Sequence, residues 1–558
     1  MKKRKMKMFK AVMSMLLLAA LLLSGCGNMS APGASAGTDG PATNSDSAET
    51  DSGNVSEIVI GVLSEPPSLD PAFNYVGASF YTVPQICEPL LSLSTDGKLE
   101  PNLASSWEQV DDVTYVYQIR DDVTFSDGSQ MTVDDVVYCL NRVLDPEVGS
   151  SVNWMIGNVE SVQATGDWEV TVKLSQPDAT WQYMPAICVG QIYSKASCEA
   201  AGDVFGTKSG GIIGTGPYVL ESWTSGSEIV MTKNENYWRG TDDIDIDKVT
   251  FKIFSDNNAI MLAATAGQVD LVFNPSNDLL EQYYEAENLN VQAINGFAAT
   301  SVYFNCQSEY LSDENMRKAV AACLDSDGIK EAAYGDDAES ATLYPFGSAC
   351  YIGNESDWTD YAAGHEQIPF DLELAKEYLA KTDYPDGGIT MNIIVNADSK
   401  EYMIVAQSLQ YELSQIGITA DVVECTSNDW ETYMAGGVLN DDGTRAYDIL
   451  IFGWMADYPD PINFLDPIYN SAYDCVGGTN YPCYHNDEVD SYIYDQGLET
   501  TAEGRTGIML EAFGQIAEDC PVKHVCYQKS MFVLSNEYEY TFSPCYYFNF
   551  EVKDIKIK

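Results

Sequence analysis

The stretch between residues 391 and 424 constrains the fold more than any other. Residues 391–395 form a short apolar run with the length of a buried strand. Residues 401–415 follow with apolar side chains at helical spacing, and residues 417–424 return to strand character. Two strands joined by a long helix pair in parallel, so this unit predicts an α/β fold. Strand and helix signals alternate elsewhere too. Residues 55–63 place Ile58, Ile60 and Val62 on one face of a half-buried strand. Residues 114–119 read as a strand, closed by a bend at Asp127-Gly128. Thr132 and Asp135 have capping-box spacing, and the helix over 133–144 sets Val136, Val137 and Leu140 on one side. Residues 218–223 and 228–233 read as a hairpin around Ser225-Gly226. About 500 residues of this kind make two to four domains, with no fixed-period repeat.

The first residues carry a different signal. Lys2, Lys3, Arg4, Lys5, Lys7 and Lys10 precede an apolar run over residues 11–23. That run is shorter than the roughly 20 apolar residues a membrane-spanning helix needs. A basic start, a short apolar stretch and small residues before a cut describe a secretory signal. Ser24-Gly25 before Cys26 resembles the bacterial lipoprotein signal, which implies cleavage before Cys26 and lipid on its thiol. Residues 27–54 are almost wholly small and polar, a composition that cannot offset its own ordering entropy. They are read as a flexible tether.

Charge excludes one class of partner. Removing the six basic residues of the signal leaves 23 Lys and Arg against 84 Asp and Glu, a net charge of −61. Nucleic-acid binding needs basic phosphate contacts, so it is ruled out. Such a surface attracts cations, though much of it is simply solvated. Fourteen cysteines include Cys26. Of the other thirteen, Cys475 with Cys483 and then Cys520 with Cys526 are the candidate disulfides of an exported chain.

Several motifs fail on context. Gly33-Ala34-Ser35-Ala36-Gly37 has the spacing of a nucleophile elbow but sits in the tether, with no strand before it or helix after it. Asp243, Asp245 and Asp247 begin like a calcium loop. Lys248 then replaces the glycine at position six and Phe254 the glutamate at position twelve. There is no H-E-x-x-H, no phosphate loop and no thiolate zinc spacing, and His365, His485 and His524 are far apart. No cofactor, metal or catalytic residue is expected.

Several blocks remain, in order. They are Ser64-Glu65-Pro66 with Ser68-Leu69-Asp70-Pro71, then Cys87-Glu88-Pro89-Leu90-Leu91, then residues 99–107 ending in Trp107. Phe125-Ser126-Asp127-Gly128 with Thr132 and Asp135 follows, then Gly214-Thr215-Gly216-Pro217-Tyr218 and Asn236-Tyr237-Trp238. The last is Gly453-Trp454-Met455-Ala456-Asp457-Tyr458-Pro459-Asp460-Pro461. Together they resemble the solute-binding proteins of oligopeptide and dipeptide ABC importers, over residues 56–558. The resemblance implies a periplasmic-binding-protein-like α/β fold with two lobes, a hinge and an extra smaller domain. A discontinuous base lobe would comprise 55–75, 207–300 and 521–558. A smaller insert would span 76–206 and the second lobe 301–520, with hinges near Thr300 and Pro521. It implies a monomer, anchored by lipid to the outer side of the cell membrane, that passes a peptide to permease subunits.

A peptide ammonium needs a fixed carboxylate, and Asp457 stands where the family places one. Trp454 and Tyr458 would form an apolar wall, and Glu65 would line the cleft. For the ligand carboxylate, Ile451 occupies the place where some relatives carry an arginine, and Arg445 is the nearest cation. A non-peptide solute (an oligosaccharide, a nickel complex or an opine) is the alternative within the same transport role.

Overall fold

The computed structural model describes residues 56–558 apart from Val76. The signal, Cys26 and the tether lie outside the described residues. A mixed sheet organises the chain. Its strands run in the order Thr419–Cys425, Thr390–Asn396, Ile449–Met455, Leu289–Phe304, Val522–Ser535, Leu271–Phe273, Glu57–Val62, Lys248–Ile253, Glu228–Lys233 and Tyr218–Thr224. Ala338–Ser340 pairs with Val522–Ser535 outside this row.

The strand–helix–strand unit behaves as its pattern requires. Thr390–Asn396 and Thr419–Cys425 pair in parallel, residue 390 opposite 419. The helix between them, Lys400–Gln415, buries Val405, Leu409 and Leu413 at four-residue intervals. They share one core with Met391, Ile393 and Val395. Full burial of one such aliphatic side chain contributes roughly 1.5–3 kcal/mol.

Two strands are long enough to serve both halves of the sheet. Leu289–Phe304 has 16 residues and Val522–Ser535 has 14, and they pair antiparallel along their lengths. The C-terminal part of the first, Ala298 to Phe304, also pairs with Ile449–Met455. The C-terminal part of the second pairs with Leu271–Phe273. Their shared register slips between Asn295 and Ala298 and again between Thr300 and Ser301.

A separate four-stranded antiparallel sheet is built from Ala104–Asp111, Thr114–Ile119, Glu169–Leu174 and Val159–Gly166. Helix Val133–Leu144 packs beside it, opened by Thr132, whose backbone N–H donates to Asp135 Oδ2 at 2.9 Å. Its buried face is Val136, Cys139, Leu140 and Val143, with Val137 only half-buried. The hairpin Tyr218–Thr224 and Glu228–Lys233 turns at Gly226, whose φ of 68° suits a residue without Cβ.

The thirteen cysteines from Cys87 to Cys545 are all free thiols, which corrects the expected pairings. Cys526 lies within the extended strand that starts at Val522. An extended chain covers about 3.3 Å per residue, so the six steps from Cys520 far exceed the 7 Å limit for a disulfide. Cys475 is exposed while Cys483 is buried.

Candidate functional site

The Gly453–Pro461 block sits where strand Ile449–Met455 ends and helix Ile462–Tyr469 begins. A buried ion pair fixes the turn between them. Arg505 Nη1 and Nη2 donate to the two carboxylate oxygens of Asp460 at 2.7 and 2.9 Å. Asp460 Oδ1 also accepts from the N–H of Ile462 at 3.1 Å, and Gln496 Oε1 accepts from Arg505. Asn463 ties the turn from its other side. Its Oδ1 accepts from the Asp457 N–H at 3.0 Å, and its carbonyl accepts from Trp454 Nε1 at 2.8 Å.

This frame holds the Asp457 carboxylate against Tyr75, whose hydroxyl lies 3.2 and 3.1 Å from its two oxygens. Burial pushes the Asp457 pKa up to about 6, while hydrogen bonds from Tyr75 and Asn463 pull the other way. Both partners are neutral. Tyr75 in turn meets the rings of Trp154 and Phe80 edge-on at 5.7 and 6.0 Å. Tyr458 stacks on Tyr183 at 5.1 Å with the rings 17° apart.

A cavity of about 390 Å³ opens beside this cluster, between residues 154–184 on one side and 458–498 on the other. Tyr458 and Asn463 form part of its wall. The Ala179 N–H donates to the Gly497 carbonyl at 3.2 Å and bridges the two sides.

The residues expected at the site separate into two groups. Asp457 and Tyr458 come together on the one turn, with Trp454 at the end of the strand that leads into it. Glu65 lies elsewhere, in a recess lined by Pro66, Pro67, Thr207, Lys208 and Ser225. There its carboxylate accepts from Trp223 Nε1 at 2.7 Å and from the Gly226 N–H at 3.3 Å. Arg445 is buried, and its Nη atoms donate to the carbonyls of Met434, Cys475 and Gly478 at 3.0–3.2 Å. Its Nε stands 3.6 Å from Asp474 Oδ1. Ile451 is wholly buried in the core shared with helix Lys400–Gln415.

Tyr75, Tyr183, Asn463 and Arg505 have no place among the site residues read from sequence. Asn463 was within reach, since it opens the helix that follows the Asp-Tyr-Pro-Asp-Pro turn. Tyr75, Tyr183 and Arg505 reach the site only through the fold. Among the described residues, no group of three or more His, Cys, Asp and Glu forms a metal-ligating cluster. None of their helices is long and apolar enough to cross a membrane.

Comparison with known proteins agrees with this architecture. The dipeptide-binding protein DppE of Bacillus subtilis (strain 168) is 25% identical over 481 residues, covering 82% of this chain and 84% of that protein. The oligopeptide-binding protein OppA of the same organism is 26% identical over 569 residues, covering 95% and 96%. The structure of Helicobacter pylori DppA in complex with the peptide STSA superposes with a TM-score of 0.74 at 21% identity, covering 90% of this chain and 98% of that one. Residues 98–474, more than half of the chain, match the family model "Bacterial extracellular solute-binding proteins, family 5 Middle", and the chain belongs to that family.

Proposed function

We propose that this protein captures peptides outside the cytoplasm and delivers them to the permease of an ABC importer. It acts as a binding component and not as an enzyme. The observation that carries this reading is the Asp457 carboxylate, half-buried beside a cavity with only neutral partners. A carboxylate so placed gains by receiving a ligand ammonium, and charge-assisted hydrogen bonds of this kind contribute about 1.5–3 kcal/mol. The names of the dipeptide- and oligopeptide-binding relatives support it. Tyr458 and Trp454 serve as wall and support. Arg445 and Glu65 hold structure.

The strands Leu289–Phe304 and Val522–Ser535 join a base lobe (55–75, 207–300 and 521–558) to a second lobe (301–520). An insert over 76–206 supplies the facing wall. Cleavage before Cys26 and lipid on its thiol would hold the protein, as a monomer, at the outer membrane face. Cys26→Ser should abolish incorporation of labelled fatty acid, and equal labelling of the variant would exclude this anchor.

Calorimetry with free and N-acetylated peptides tests the ligand assignment. Asp457→Asn should cost about five- to a hundredfold in affinity, and acetylation should cost the natural protein a similar factor. Acetylation should cost the variant much less, because the partner charge is already gone. Strictly additive losses would remove Asp457 from the ammonium site. A natural protein indifferent to acetylation would point to a solute without an ammonium, such as an oligosaccharide.

A further inference from the structure

We propose that the cavity beside Asp457 selects peptides carrying a lysine or arginine side chain, an inference that rests on the peptide reading above. Two independent features of its wall converge on a cationic group.

The first is uncompensated charge. Asp178, Asp466 and Asp490 all line the cavity, and none of its lining residues is Lys, Arg or His. Every hydrogen-bond donor that reaches these carboxylates is neutral. Asp178 accepts from the N–H and hydroxyl of Thr180 at 2.9 and 2.7 Å and from Asn158 Nδ2 at 2.9 Å. Asp466 accepts from Asn470 Nδ2 at 2.7 Å and from the Tyr473 hydroxyl at 3.4 Å. Asp490 accepts from the Ser471 N–H at 2.9 Å. Burial and the nearby charges of Asp178 and Asp490 raise the pKa of Asp466, so Asp466 feels both of the other carboxylates. A cation entering among them relieves that repulsion inside a concave site, where it counts for more than at a flat surface.

The second feature is aromatic. Trp154, Tyr494 and Tyr473 are 57%, 56% and 39% exposed, and all three line this one cavity. Large rings left open to solvent in a cavity mark a contact surface. The faces of Trp and Tyr attract ammonium and guanidinium groups, Trp most strongly. The same rings pack on the methylene stem of Lys or Arg, which needs apolar cover as well as a charge partner. Aromatic rings alone would suit any apolar side chain, and carboxylates alone would suit any small cation. Their combination fits a long basic side chain.

The test is calorimetry on tripeptides with free N-termini that carry lysine or norleucine, and arginine or citrulline, at each position in turn. Norleucine keeps the lysine stem without its ammonium, and citrulline keeps the arginine shape without its charge. The natural protein should prefer the charged member by about tenfold or more at one position, and high salt should shrink that ratio. The double variant Asp466→Asn, Asp490→Asn should bring the ratio below about threefold. Equal affinity for both members at every position would overturn the proposal while leaving the peptide reading intact, as would a preference that the double variant retains. Failure of every tripeptide to bind would overturn both.

Discussion

The hydroxyl of Tyr75 reaches both carboxylate oxygens of Asp457, a residue 382 positions further along the chain. This contact ties residue 75 to the turn after strand Ile449–Met455, and it biases the charge of the Asp457 carboxylate. A hydrogen bond to a carboxylate favours the ionised form, whereas burial opposes it. The balance leaves Asp457 titrating near pH 6. An ammonium binds the ionised form, so affinity should be full above that pH and fall as the pH drops through 6. Tyr75→Phe removes the donor and should move the midpoint of the affinity profile upward. A profile unchanged from pH 5 to pH 8 in both proteins would remove Asp457 from the binding event.

The Asp460–Arg505 pair is structural, so its loss should appear in stability. Arg505 replaced by Met leaves a buried, unpaired carboxylate, which costs about 3–5 kcal/mol. The double replacement Asp460→Leu, Arg505→Met should recover much of that loss, because no charge is left without a partner. Urea unfolding of the natural protein and the two variants measures this directly. A single variant as stable as the natural protein would show that solvent reaches Asp460.

The local devices were the most legible part of this chain. Strand 390–396, helix 400–415 and the Gly226 hairpin follow from periodicity and turn chemistry that act over a few residues. The candidate site was legible only where one motif carried it. Asp457 and Tyr458 sit on one turn just after the strand residue Trp454, and the resemblance singles out all three. Arg445 shows the limit. Its charge marks it as a carboxylate binder in sequence, but the fold brings the carbonyls of Met434, Cys475 and Gly478 around its guanidinium. Tyr75 and Arg505 come from distant segments, and no local pattern announces a partner hundreds of residues away. The cysteine pairings failed for a related reason, since spacing along the chain says nothing of strand direction.

Glu88 should impose a pH dependence of its own. It is wholly enclosed, accepts from Tyr237 and Trp238 at 3.0 and 2.6 Å, and faces Arg239 and the carboxylate of Glu551. Burial raises its pKa from 4.5 to about 7. The folded state therefore holds this proton more tightly than the unfolded one. Its stabilising effect is full below pH 4.5 and fades as the pH climbs to 7. Glu88→Gln keeps one acceptor oxygen, enough for Trp238 Nε1, offers its NH2 to the Tyr237 hydroxyl and removes the titration. The variant should melt higher than the natural protein at pH 8 and much closer to it at pH 5. The opposite order, with the variant less stable at pH 8, would mean that Arg239 outweighs burial.

The two long strands should be where the molecule bends. Between Asn295 and Ala298 the strand Leu289–Phe304 loses register with Val522–Ser535, leaving Gly296 and Phe297 outside the regular ladder. A Cβ at Gly296 would stand 2.5 Å from Ser530 Oγ, a side-chain atom free to rotate, while the facing backbone stays 3.5 Å or more away. A few steps on, Gln528 Nε2 donates to Thr300 Oγ1, and Thr300 also meets the Tyr334 hydroxyl at 2.9 Å. A bulge breaks the ladder and concentrates twist, so rotation there strains fewer hydrogen bonds than rotation in a regular segment. A compact chain of this length has a radius of gyration of about 24 Å. Ligand should move the scattering radius toward that value from a larger one in the empty protein. A scattering radius unmoved at saturating ligand, in a protein that calorimetry shows to be fully bound, would exclude a closing cleft.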